Sequence, residues 1–92
     1  MIIIKSEYEI AIMREANRIL AQLFEHISPM ILPGISTIEL DKEAELFIRS
    51  HGALPAFKGY RDYPATLCTS VNDEVVHGIP GPRVLQSGDI IS

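Results

Sequence analysis

Apolar side chains recur at helical spacing early in the chain: Ile12, Ala16, Ile19, Leu20, Leu23 and Ile27 fall on one stripe. Arg14, Glu15, Arg18 and Gln22 fill the opposite side, the pattern of an amphipathic helix with a solvated face. Ser6 and Glu9 stand at the spacing of a capping box, in which hydroxyl and carboxylate each satisfy an open amide of the first turn. The helix is therefore expected from about Glu7 to His26, with His26 placed to favour the negative end of the helix dipole. Pro29 and Pro33-Gly34 then break the chain. Ser36-Thr37-Ile38-Glu39 repeats the capping box, and Ile35 and Leu40 can close a hydrophobic staple. A second amphipathic helix follows, with Leu40, Ala44, Phe47 and Ile48 on its apolar side. It is expected to stop near His51, because Gly52 supplies a left-handed cap. Phe47 reads as core.

From Leu54 the period changes. Leu54-Pro55-Ala56-Phe57 reads as extended, since the residue before a proline avoids helix. Lys58 to Pro64 reads as a loop carrying Tyr60 and Tyr63. Thr66 to Val71 alternates as a strand, with Leu67, Thr69 and Val71 facing a core and Thr66, Cys68 and Ser70 facing a small cavity. Val71-Asn72-Asp73-Glu74 reads as the tight turn of a β-hairpin. If that turn has two residues, Val71 faces Glu74 and Cys68 faces His77. Gly78-Ile79-Pro80 ends the second strand just after the imidazole, at the rim where a side chain meets a ligand. Gly81-Pro82 and Ser87-Gly88-Asp89 make further turns, and Ile90-Ile91-Ser92 starts a strand that stops mid-run. An unfinished apolar strand is an exposed edge, so the chain reads as one incomplete domain, residues 1–92.

Composition narrows the class. The chain has 92 residues, of which 47% are hydrophobic and 22% charged, the balance of a globular protein. A chain of this size buries only about two-thirds of its unfolded surface, so its core is modest. A net charge of −4 without a basic cluster argues against direct nucleic-acid or anionic-membrane binding. The single cysteine, Cys68, cannot form an internal disulfide and favours an intracellular setting. No apolar run is long enough for a transmembrane helix, and neither a signal peptide nor an internal repeat is legible.

The residues alone do not complete a catalytic centre. A catalytic zinc needs three converging protein ligands, whereas Asp73 and Glu74 sit in or beside the turn, away from His77. No His-Glu-x-x-His pattern occurs. Cys68 opposite His77 has no other nucleophile context.

Asn72-Asp73-Glu74-Val75-Val76-His77-Gly78-Ile79-Pro80 resembles the signature of type I methionine aminopeptidases, in which Asn-x-x-Val-x-His-Gly-Ile-Pro recurs. Pro55-Ala56-Phe57-x-Gly59-Tyr60 and Gly88-Asp89-Ile90-Ile91 resemble that family's flanking segments. The resemblance implies an α+β fold, the amino-terminal portion of a pita-bread architecture, with two amphipathic helices packed on antiparallel strands. It implies a cytoplasmic enzyme that removes the initiator methionine from nascent proteins, close to the ribosome, by hydrolysis at two divalent ions (Co, Mn, Fe or Zn). The family's two Asp, one His and two Glu ligands all follow the Gly-Asp-Ile-Ile segment. The resemblance therefore implies no metal ligand in this chain, and no activity for the 92 residues alone. It assigns His77 to the scissile amide, as a group whose pKa suits acid–base work near neutrality. Phe57, Tyr60, Tyr63 and Cys68, together with His77, are implied to line the pocket for the substrate methionine. Asn72 is implied to lie near a monovalent-cation site. Relatives often carry Cys where Phe57 stands, a departure that bears on pocket depth. Two other classes share the half-fold: a non-catalytic pita-bread binding module, and a prolidase or aminopeptidase P relative.

Overall fold

A computed structural model describes residues 1–92. Helix α1 spans Glu7–Ile27 and α2 spans Thr37–Ser50, with short 3-10 turns at Ser28–Met30 and Tyr60–Asp62. Both expected capping boxes are formed. Ser6 Oγ accepts from Glu9 N at 3.2 Å while Glu9 accepts from Ser6 N at 2.9 Å. Ser36 and Glu39 repeat the exchange at 3.3 and 2.8 Å. Helix α2 ends as its glycine predicts: Gly52 has φ 72°, and the amides of Gly52 and Ala53 bond back to Arg49 O and Ile48 O.

The apolar stripe of α1 is only partly used. Ile19, Leu23 and Ile27 are buried, whereas Ile12 and Leu20 remain 53% and 46% exposed and Ala16 is exposed too. For Ile12 and Ala16 the reason is length. At 1.5 Å per residue, α1 with its 21 residues outruns the 14 of α2, leaving its first turns without a partner. His26 does more than face a dipole: Nε2 lies 2.7 Å from Glu43 Oε1 on α2, and its ring sits 4.8 Å from Phe47. Phe47 itself is half-buried, packed on the core and stacked on His51 at 4.2 Å.

Two small apolar clusters make the core. Leu23, Ile27 and Ala44 join the helices, and Leu40, Val71 and Leu85 join α2 to the chain that follows; Met30 and Leu67 pack against both. The second half of the molecule is extended, and its antiparallel pairing is reduced to isolated bridges between Ser36 and Val84 and between Val71 and Ile91. No continuous strand forms, because each extended segment meets its neighbour over one or two residues before a turn redirects it. Arg83 O and Gly81 O accept the Thr37 and Ile38 amides at 3.0 Å each, satisfying open donors at the start of α2. Thr37 Oγ1 completes that junction by accepting Gly81 N at 2.9 Å.

Candidate substrate pocket

The turn at Asn72-Asp73 forms, but the hairpin beyond it has a different register from the one expected. Glu74 N donates to Val71 O at 3.1 Å, with Asn72 at φ 55°. The next backbone pair is Thr69 N to Gly78 O at 2.7 Å, so the returning arm holds two more residues than a regular ladder allows. Cys68 and His77 are therefore not opposite one another. The slip has a local cause: Val71 N is taken by the Glu74 side chain at 2.8 Å, and His77 adopts φ 62°, bulging Val75 to His77 outward.

Gly78 is required where it stands. A Cβ built on it would lie 2.3 Å from Thr69 O and 2.8 Å from Thr69 C, so only glycine lets the two backbones approach. Its amide donates to Ser70 Oγ at 3.0 Å. On the other edge of this segment, Ser70 exchanges backbone bonds with Ser92 at 2.9 and 2.8 Å.

Despite the changed register, Cys68 and His77 share one cavity. It has a volume of about 340 Å³ and is lined by Cys68, Ser70, Glu74, Val76, His77 and Ser92. That size lies at the lower end of small-molecule sites, about 300–1,000 Å³. None of the expected aromatic residues lines this cavity, but they gather beside the imidazole. Phe57 is the hub: its ring lies 4.6 Å from Tyr63, 6.0 Å from Tyr60 and 5.7 Å from His77. The loop that presents them closes on itself through Tyr60 N to Phe57 O, Gly59 N to Tyr63 O and Tyr63 N to Tyr60 O. Arg61 and Asp62 are left at φ 47° and 63°, a conformation with a cost for side-chain-bearing residues.

Tyr63 is the fixed member of the cluster. Its hydroxyl donates to Leu67 O at 2.7 Å, with Gly78 O a second acceptor at 3.3 Å. Burial, then the neighbouring Cys68 thiol, hold the phenol well above its ordinary range, so it stays protonated as a donor. Tyr60 is 53% exposed, with the Arg61 guanidinium 5.3 Å from its ring centre.

Asn72 does not line the cavity. Its Nδ2 donates to Asp89 Oδ1 and its Oδ1 accepts Ile90 N, each at 3.0 Å, tying the hairpin turn to the Gly88 turn. The Nδ2 bond from Asn72, then a bond from Gln86 N, hold the Asp89 carboxyl below its usual range.

The donors here do not make a metal centre. No three His, Cys, Asp or Glu side chains converge. Asp41 is engaged by the Thr66 and Leu67 amides, Glu74 by Val71 N and Arg83, and Asp89 by Asn72 and Gln86. These residues do not fit a dinuclear site.

Comparison with known proteins decides the family. The sequence model of metallopeptidase family M24 matches residues 11–92. The chain belongs to that family. This M24 chain is 58% identical, over all 92 of its residues, to methionine aminopeptidase 1 of Bacillus subtilis, and 51% identical to the methionine aminopeptidase of Clostridium perfringens. It spans 37% of the length of each of these curated relatives. Its backbone matches the crystal structures of methionine aminopeptidase from Thermotoga maritima (TM-score 0.95, 36% identity) and Rickettsia prowazekii (0.94, 37%), covering 99% of this chain and 37% of each of theirs. The likeness makes the M24 chain part of a pita-bread fold, with the pocket segments falling inside the matched region.

Sequence reasoning missed Glu74, Val76 and Ser92 as cavity residues because it assumed an unbroken hairpin ladder. It also passed over Asp41. The signal was present: Asp41 stands beside Leu40 and three residues before Ala44, an acid on the apolar stripe of α2.

Proposed function

We propose that this chain supplies the substrate pocket of a methionine aminopeptidase, which removes the initiator methionine from nascent proteins in the cytoplasm, close to the ribosome. The observation that carries the reading is the grouping of Tyr60, Tyr63 and His77 around Phe57, with the Cys68–His77 cavity beside them. Aromatic rings and a soft sulfur suit a thioether side chain, each sulfur–aromatic contact contributing about 0.3–1.5 kcal/mol. In this reading Phe57, Tyr60, Tyr63 and Cys68 hold the methionine side chain of an amino-terminal peptide. His77, exposed at the mouth of the cavity, donates to the scissile amide as its carbon becomes tetrahedral. Asn72 keeps one carbonyl lone pair beside its bond from Ile90, the atom offered to a monovalent cation. Two divalent ions belong to the complete enzyme, and their ligands to residues outside these 92.

The test is direct. The full-length protein carrying this sequence, supplied in turn with Co, Mn, Fe or Zn, is incubated with a methionyl tripeptide and its leucyl counterpart. Free methionine is expected from the first and little leucine from the second. No methionine release with any of the metals removes the proposal.

A further inference from the structure

Asp41 is a buried carboxylate on α2, 5% exposed, and it takes part in none of the chain's ion pairs. A buried charge needs compensation, and this one finds it in backbone amides: Oδ1 accepts from Thr66 N at 2.9 Å and Leu67 N at 2.6 Å. Those two amides belong to the segment that runs directly into the cavity. Leu67 O receives the Tyr63 hydroxyl at 2.7 Å, and the next residue, Cys68, is a cavity wall. Tyr63 in turn packs on Phe57, and Phe57 on His77. One carboxylate thus connects the rigid helix to both sides of the pocket. No other side chain of α2 hydrogen-bonds to Thr66, Leu67 or Cys68.

Resting on the proposed function, we infer that Asp41 is a positioning residue: by pinning Thr66 and Leu67 to α2 it fixes the Tyr63 and Cys68 walls, and so sets which amino-terminal side chain the pocket accepts. The role is geometric. An acceptor at Oδ1 is needed, and an amide oxygen of the same reach serves as well.

The experiment compares wild type, Asp41→Ala and Asp41→Asn in the full-length protein. Three quantities are read: the ratio of kcat/KM for methionyl and leucyl tripeptides, the melting temperature, and the rate of Cys68 alkylation by iodoacetamide, followed by peptide mapping well below melting. In Asp41→Ala the methionyl preference is expected to fall about tenfold, with KM rising more than kcat falls. Cys68 alkylation is expected to speed up by about tenfold as its segment opens locally. Asp41→Asn is expected to restore both. A lower melting temperature in Asp41→Ala with unchanged preference and unchanged Cys68 reactivity overturns the inference, as does failure of Asn to rescue. If Asp41→Ala does not fold, Asp41→Glu, which displaces the acceptor by one methylene, is held to the same expectations. Should the wild type release no methionine, the functional reading fails, and the Cys68 rates alone decide whether Asp41 tethers the segment.

Discussion

The two halves of this molecule are held together by different means. Residues 7–50 are two capped helices joined by an apolar cluster of Leu23, Ile27 and Ala44. Residues 54–92 have no helix beyond a single 3-10 turn and no continuous strand. Beyond the apolar cluster of Leu40, Val71 and Leu85, their order comes from individual polar groups: Asp41 on the Thr66 and Leu67 amides, Tyr63 on Leu67, Glu74 on Val71, Asn72 on Asp89 and Ile90. The helical half is a scaffold with redundant contacts. The other half is a set of aimed loops, each depending on one or two bonds, and it carries the whole candidate pocket. The candidate pocket sits where the backbone is least regular because a positive φ at His77 or Arg61 aims a side chain in a way that a ladder does not.

The largest expected effect tests the pocket alone. His77→Ala in the full-length protein should lower kcat by about 10²–10⁴, or roughly 3–5 kcal/mol of barrier, with KM changing less. Melting temperature and metal content should stay close to wild type, since His77 is exposed and supports no core residue. A destabilised variant with normal turnover per folded molecule makes His77 structural instead.

Leu23→Ala attacks the scaffold. Leu23 is 2% exposed at the helix junction, and its truncation should cost about 2–5 kcal/mol, read from the denaturant midpoint. Gly78→Ala attacks the loops, forcing Thr69 away from Gly78 at about 1–3 kcal/mol, with helical circular dichroism retained and activity lost. If Gly78→Ala melts the helices as well, the two halves are one cooperative unit.

Ser6→Ala and Ser36→Ala sharpen it further. Each removes a helix cap worth about 1 kcal/mol. The Ser36 variant should be the more damaging, because Ser36 is buried and its hydroxyl also donates to Glu39 Oε2, whereas Ser6 is exposed. Equal losses from both variants, measured by thermal melts, would show that the burial of Ser36 adds nothing to its cap.

The smallest expected effect is a pH dependence in the loops. The folded pKa of Asp89 is lowered from 3.8, so its contribution is fully present above that value and fades as pH falls through the lower folded value. Asp89→Asn should flatten that part of the acid limb in a stability-against-pH series. An unchanged limb removes the Asn72–Asp89 bond from the account.

How much of this was legible follows the same division. Both helices and their boundaries were readable because capping boxes, a terminal glycine and apolar spacing are local signals, decided within a few residues. Phe57, Tyr60, Tyr63, Cys68 and His77 were readable as pocket candidates through the resemblance of their segments to one family, and the structure does bring them together around Phe57 and His77. Two things were not readable. The hairpin register depends on whether Val71 N bonds to the backbone or to the Glu74 side chain, a choice that residue types leave open. The pinning of Thr66 and Leu67 by Asp41 joins positions 25 and 26 residues apart, and nothing local says where a buried acid finds its donors. By itself, then, the sequence determined the helical scaffold, which rests on short-range pattern, and through a family resemblance it offered the candidate pocket side chains. Only the tertiary structure decided how those side chains are aimed, because their aim is set by single long-range bonds whose partners come together when the chain has folded.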